Sequence, residues 1–208
     1  LQQADDQLDA REAGGDLLAY HPHAAVTQML ANCEPLAETY DAVIANPPYR
    51  GSSNMDKWLA NWTKKHYPDS KRDLCTCFIE RCRGLSAVRG YSATVTSCTW
   101  MFISSFEGLR EKLVEENTII SMLHTAGPNN HPDVFDANTA MVLEHEVVRG
   151  YESSYFKLDR LGLDIKRSML LDAIANPSCG WFYRRSSDSF KSIPGTPIAY
   201  WASLGSLQ

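Results

Sequence analysis

Tyr40-Asp41-Ala42-Val43-Ile44-Ala45-Asn46-Pro47-Pro48-Tyr49 is the stretch on which the fold turns. Its first six residues form a short apolar run, and two prolines stop it. That pattern predicts a buried strand from Tyr40 to Ala45, ended at its carboxyl side because proline has no N–H to give a neighbouring strand. Downstream, Tyr91–Thr96, Thr118–His124 and Thr139–Val148 read as further strands, and Tyr155–Leu158 as a possible hairpin partner. Between them, Lys57–His66 and Asp73–Leu85 have helical spacing, the second placing Leu74, Cys77, Phe78, Arg81 and Leu85 toward a sheet. Ser104 or Ser105 is expected to cap a helix through Glu115, and Ile165–Ala175 is expected to be helical. Gly84–Gly90 reads as a turn, Gly127–Asp136 as a loop, and Asn176 onward as mostly loop. Residues 1–39 read as polar helix and loop, with a break at Gly14-Gly15 and a helix over Ala24–Leu36. Alternating strands and helices predict an α/β fold with an open, mostly parallel sheet, in which ligands bind beyond the carboxyl ends of the strands.

Asn46-Pro47-Pro48-Tyr49 sits at such an end, and its chemistry suits a planar amine. An exocyclic amino nitrogen is a poor nucleophile while its lone pair is delocalised into the ring. Two acceptors placed around the NH2 favour attack more strongly as positive charge develops on nitrogen. The Asn46 side-chain oxygen is one candidate and the Pro47 carbonyl the other. Pro47 fixes its own φ, Pro48 holds Pro47 extended, and neither ring offers a competing N–H. Tyr49 supplies an aromatic face for a base swung out of a duplex. A match of this kind arises by chance in roughly one percent of chains of this length. The alternative is a rigid Pro-Pro turn with Tyr49 as a packing residue.

Composition sets the bounds. A hydrophobic fraction of 44% and a charged fraction of 22% are those of an ordinary globular chain. No apolar run approaches the length of a membrane span, so no membrane partner is expected. Six cysteines without a C-x-x-C pair, and no Cys/His cluster of zinc spacing, predict reduced cytoplasmic thiols and no metal site. The net charge of −5 does not advertise nucleic-acid binding. Yet Arg50, Lys57, Lys64, Lys65, Lys71 and Arg72 face only Asp56 and Asp69 within residues 50–72, with Trp58, Trp62 and Tyr67 interleaved. A phosphate backbone and an unstacked base need those side-chain types, although a solvated helix with core tryptophans has the same composition. Ser97, Trp100 and Phe102 follow the second strand and could border a base pocket or belong to the core. No histidine stands in a catalytic pattern, and no G-x-S-x-G elbow is present.

The YDAVIANPPY stretch resembles the catalytic motif of amino-methyltransferases with a Rossmann-like fold. The resemblance extends through YPDSKRDLCTCFIERC (67–82), RGYSATVTSCTWMFISSFEGLREKL (89–113), ANTAMVLE (137–144) and SIPGTPIAYW (192–201). As a set, these are similar to the PglX-like adenine-specific methyltransferases of phage-exclusion systems. The resemblance implies a class I methyltransferase sheet with flanking helices. It also implies S-adenosyl-L-methionine as donor, N6 of a flipped adenine in duplex DNA as acceptor, and other phage-defence subunits as partners. It places Asn46, Pro47, Pro48 and Tyr49 at the reacting base; Arg50, Ser97, Trp100, Phe102, Lys64 and Lys65 are substrate-binding candidates from their position and charge.

There are departures. No G-x-G cofactor loop precedes the motif; Gly14-Gly15-Asp16 resembles one only superficially, lacking an apolar strand before it. Asp41 is then the weak candidate for contact with the cofactor. Arg50 stands where such relatives usually carry an apolar residue, and Thr125–Asp136 fits the family pattern poorly. The chain starts at Leu1 rather than Met and has no target-recognition region, so truncation at both ends is expected. The expected organisation is 1–39 as a partial N-terminal region, 40–150 as catalytic core and 151–208 as connector. As an isolated chain it should bind the cofactor weakly or not at all. Rival readings are a methyltransferase acting on RNA guanine or protein glutamine, and a non-catalytic fragment that binds DNA or a partner.

Overall fold

Strand β1 spans Tyr40–Ala45, but it is an edge strand with no buried residue rather than the buried strand expected, because only β2 pairs with it among the described residues. The structure, a computed structural model, describes residues 20–125, 138–158 and 163–202. The expectations for Gly14-Gly15 and for the loop over Gly127–Asp136 lie outside these residues. The chain falls into two units, Leu1–Thr39 and Tyr40–Gln208. The first contains helix α1 (Tyr20–Ala37), with Pro35 inside its last turn, where a missing N–H and a ring clash bring a helix to its end.

The second unit is built on six strands: β1, β2 (Ser86–Ser97), β3 (Thr118–Thr125), β4 (Asn138–Glu144), β5 (Glu152–Lys157) and β6 (Phe182–Ser186). Their spatial order is β1-β2-β4-β3-β5-β6. The β1–β2 and β3–β5 pairs are parallel; β2–β4, β3–β4 and β5–β6 are antiparallel. The sheet is therefore mixed rather than mostly parallel, because β4 runs back between β2 and β3. Strand β5 pairs with β6, which the loop expectation for Asn176 onward did not include. Both strands lie in the stretch read as a connector and complete the sheet.

Two local features shape the β1–β2 edge. The pairing jumps from Tyr40↔Ser86 to Ala42↔Tyr91, so the turn expected near Gly84–Gly90 is a bulge inside β2. Arg89 takes a left-handed φ of 64° there, held by a 2.9 Å bond to Glu146. Gly90 is needed because a Cβ would lie 2.9 Å from the Ala87 carbonyl oxygen and 3.0 Å from that of Tyr40.

Helix α2 is Lys57–His66, capped by Asp56, whose side chain accepts from the Leu59 N–H. Helix α3 is Leu74–Leu85, capped by Asp73. It buries Cys75, Thr76, Cys77, Ile79 and Cys82, a face rotated from the expected one and sharing only Cys77 with it. Helix α4 is Glu107–Glu116. Neither Ser104 nor Ser105 caps it; a 3-10 turn over Ser104–Phe106 precedes it, and Phe106 takes the cap position without a side-chain bond. Helix α5 is Leu163–Ala175. Strand β4 ends at Glu144, short of the expected Val148. There His145 Nε2 lies 3.1 Å from Ser92 Oγ, and the Val148 N–H turns to Thr118 Oγ1 at 2.7 Å.

Alternation along the strands separates two faces. The inner face carries Thr94 and Thr96 of β2, Met141 and Leu143 of β4 and Tyr155 of β5, all buried. A register shift in β3 between Ile119 and Ser121 lets both Ile119 and Met122 join that face. Ile79, Leu109, Leu113, Trp100, Phe190 and Tyr200 cover it, forming one hydrophobic core. Buried Arg110 ties this cover together. Its guanidinium donates to the carbonyls of Trp100 (2.8 Å), Ile103 (2.7 Å), Gly195 (2.9 Å) and Thr196 (3.1 Å). The other face carries Ala93, Val95, Ala140, Val142, Leu123 and Phe156, and with Leu170 of α5 these line an open groove of about 370 Å³.

Candidate functional site

β1, β2, β3 and β5 all run toward one edge of the sheet, and the Asn46–Tyr49 loop leaves β1 there. Asn46 is exposed and stands at the rim of the groove. Pro47 is buried, whereas Pro48 is exposed. The loop thus seats one ring in the protein and leaves Asn46 exposed.

The next residues fasten the loop to α3. The Arg50 N–H donates to Asp73 Oδ1 at 3.3 Å, the Leu74 N–H to the Arg50 carbonyl at 2.9 Å and the Ser52 N–H to the Arg72 carbonyl at 2.8 Å. Asp73 also accepts from the Cys75 N–H at 3.0 Å, so one carboxylate serves both the helix cap and the motif loop. Tyr49 is 42% exposed. Partial burial, then Cys75 and Asp73 beside it, raise its hydroxyl above the ordinary 10.0, so the ring is neutral at physiological pH. Arg50 turns its Nε to the Asn54 carbonyl at 2.8 Å, bracing its own loop.

The remaining candidates divide. Ser97 is buried, with its Oγ 3.9 Å from Cys75 Sγ and 3.0 Å from Thr99 Oγ1. It backs α3 and offers no open surface to a base. Trp100 is fully buried, and its indole N–H donates to Thr96 Oγ1 at 3.0 Å. It is a core residue and not part of a pocket wall. Phe102, two residues on, is 39% exposed. Lys64 and Lys65 are exposed in the last turn of α2. Asp41 is exposed near the amino end of β1. At about 3.3 Å per residue it lies on the order of 16 Å from Asn46 along the strand, away from the carboxyl edge.

Sequence reasoning missed an aromatic group along the same edge. Phe102 stacks edge-on with Trp201 at 5.4 Å, and His124 Nδ1 lies 3.1 Å from the Tyr200 hydroxyl. The Lys157 ammonium stands 5.2 Å from the Trp201 ring centre. Phe102 was already a candidate, and the signal for Tyr200 and Trp201 was the 192–201 block; His124 and Lys157 carried none.

S-adenosyl-L-methionine is the donor that the resemblance implies, and the described residues do not make a site for it. Among the described residues no glycine-rich turn follows a strand, and β1, at the edge of the sheet, leaves Ile44 83% exposed. No described helix is long and apolar enough to cross a membrane.

Residues 11–131 match the Eco57I restriction-modification methylase family. The chain is 37% identical over 177 residues to the adenine-specific methyltransferase PglX of Lacticaseibacillus casei (strain Zhang), covering 83% of this chain and 15% of that protein. It is 34% identical over 200 residues to the adenine-specific methyltransferase BrxX of Escherichia coli O9:H4 (strain HS), covering 95% of this chain and again 15% of the relative. The chain therefore spans about 15% of the length of these relatives. Among solved structures, the methyltransferase subunit of a type I restriction-modification system from Streptococcus thermophilus aligns with a TM-score of 0.53 at 13% identity, over 79% of this chain and 38% of that one. The type ISP restriction-modification enzyme LlaGI, solved with a DNA substrate mimic, aligns with a TM-score of 0.55 at 18% identity, over 77% of this chain and 18% of that one. These last two speak for the fold, an α/β class I methyltransferase sheet with flanking helices. With more than half of its residues matched by the family model, the chain belongs to the Eco57I restriction-modification methylase family.

Proposed function

We propose that this chain is the base-accepting part of a DNA methyltransferase that transfers a methyl group from S-adenosyl-L-methionine to N6 of adenine, in a restriction or phage-defence setting. The observation behind this reading is the Asn46–Tyr49 loop. It projects an exposed amide from the carboxyl end of β1 while burying Pro47 and anchoring its far end on Asp73. The relatives' description as adenine-specific methyltransferases supports adenine as the base.

In this scheme the adenine leaves the duplex and its amino group meets two acceptors, the Asn46 side-chain oxygen and the Pro47 carbonyl. Both strengthen their hydrogen bonds as the nitrogen becomes positive. Tyr49 lays its neutral ring against the base. The donor supplies an electrophilic methyl; residues outside those described here would hold it.

Single-turnover methylation of a cognate duplex by the full-length enzyme carrying this sequence tests the reading. Asn46→Ala should slow the step by roughly 10²- to 10³-fold, the usual loss for one transition-state hydrogen bond. DNA affinity, set mainly by phosphate contacts, should be largely kept, and the melting temperature should not move because Asn46 is exposed. Asn46→Asp should lose less, since a carboxylate oxygen still accepts. A near-normal rate in the alanine variant would remove Asn46 from the chemistry.

A further inference from the structure

Helix α2 begins eleven residues after Asn46 and presents a face that the reaction above does not use. Trp58 is 71% exposed and Trp62 39% exposed. Their rings lie 6.3 Å apart and within 17° of parallel. His66 continues the row, 4.8 Å from Trp62, and Tyr67 flanks it at 5.5 Å. Spacing of four residues puts Trp58, Trp62 and His66 above one another on one helical face. The opposite side is what anchors the helix: Thr63 is fully buried, and its hydroxyl lies 3.0 Å from the Leu59 carbonyl and 3.8 Å from Met55 Sδ. The tryptophans are therefore not core residues.

The rim of this face is cationic. Lys57, Lys64 and Lys65 are exposed, and among the described residues they form no ion pair. The two nearby acids are already engaged: Asp56 caps α2 and Asp69 binds Lys112 at 2.5 Å. A chain of net charge −5 thus displays a positive patch around a flat aromatic ladder. Protein-docking surfaces are depleted in lysine. A nucleic-acid strand takes the opposite mixture, cations for phosphates and ring faces for unstacked bases.

We propose that the Trp58–Trp62–His66 face is a stacking platform for an unpaired nucleotide bordering the extruded adenine, with Lys64 and Lys65 at its phosphates. The platform rests on the DNA reading above and adds a second base-binding surface to it. Extruding one base unstacks its neighbours and leaves its partner unpaired. Trp58 is placed to receive a base so freed, either the orphan on the opposite strand or a neighbour on the adenine's own strand.

Photo-crosslinking in the full-length enzyme distinguishes the two sources. Cognate duplexes carry 5-iodouracil opposite the target adenine, beside it on the same strand, or well outside the site. Irradiation should crosslink the peptide bearing Trp58 and Trp62 from one of the first two positions and not from the third. Trp58→Ala should abolish that crosslink and weaken duplex binding by roughly 5- to 100-fold without lowering the melting temperature. Trp58→Phe should restore most of the binding. Crosslinks that map elsewhere overturn the platform, as does alanine-variant affinity within twofold of the unmodified enzyme. Loss in Trp58→Ala of association with another protein subunit, with DNA binding unchanged, also overturns it. The two readings fail separately: an enzyme that methylates no adenine in the cognate duplex removes the reaction, whereas normal methylation with an inert Trp58 removes only the platform.

Discussion

Between the two faces of the sheet, β2 reverses the usual relation between polarity and burial. On the inner face, Thr94 and Thr96 of β2 are almost wholly shielded beside Met141 and Leu143. On the groove face, Ala93, Val95, Ala140 and Val142 are apolar and only half-buried. Side-chain chemistry alone would have put the threonines outside and the valines inside. What decides is the layer above: α3, α4 and the segments fastened by Arg110 cover one face, while α5 reaches the other through Leu170. Stability therefore rests on the inner face, and the Asn46–Tyr49 loop stands at the rim of the groove on the other.

The largest effect that sharpens this contrast is expected at Trp100. Trp100→Ala opens a cavity in the inner core, leaves Thr96 Oγ1 without its indole partner and should cost about 3–5 kcal/mol. Thermal unfolding should shift down by roughly 10 °C. A shift of only a degree or two would mean that the inner face is not the stabilising one.

A second effect should appear in alkali. Burial pushes the Cys75 thiol up to about 12 and the Cys77 thiol up to about 11, from an ordinary 9.0. Between about pH 9 and 12 the unfolded chain loses protons that the folded chain keeps. Stability should therefore be level below pH 9 and fall above it, by at most about 1.4 kcal/mol per pH unit for each thiol. Melting temperatures at pH 8 and 10.5 for the parent chain and Cys75→Ala check this: the variant should show the shallower decline. Equal slopes would place the alkaline loss elsewhere.

The smallest effect is expected on the groove face. Val142→Ala removes two methyl groups from a half-exposed site and should cost under about 1 kcal/mol. If denaturant titration finds it as costly as Trp100→Ala, the two faces are equally packed and the contrast fails.

What could be read from the chain follows the same division. β1, α2 and α3 were legible as elements, β1 from the prolines after Ala45 and the two helices from their spacing, whereas the caps Asp56 and Asp73, the buried face of α3 and the exposure of β1 were not. The direction of β4 was not legible, since an alternating strand looks the same either way round and the residues between β3 and β4 allow either connection. β6 was missed because Phe182–Ser186 places two arginines in five residues, and strand pairing with β5, not apolar content, holds it. At the candidate site, the Pro-Pro pair was the local signal that singled out the Asn46–Tyr49 loop, whose end on β1 the structure shows. Trp100 and Phe102 were not separable, because a 3-10 turn over Thr99–Met101 sends one ring into the core and leaves the other partly exposed.

The reversal of β4 has a consequence for how such a chain can change. Thr125 at the end of β3 pairs with Asn138 at the start of β4, and Thr125 Oγ1 donates to the Asn138 carbonyl at 3.2 Å. The connection between them, residues 126–137, therefore leaves and re-enters the sheet at adjoining points. For a connection closed so tightly at its base, doubling the number of residues costs only about 0.6 kcal/mol of closure entropy. Because Thr125 and Asn138 are themselves paired, on the same edge of the sheet as Asn46, a change in the number of residues joining them need not disturb the β3–β4 register.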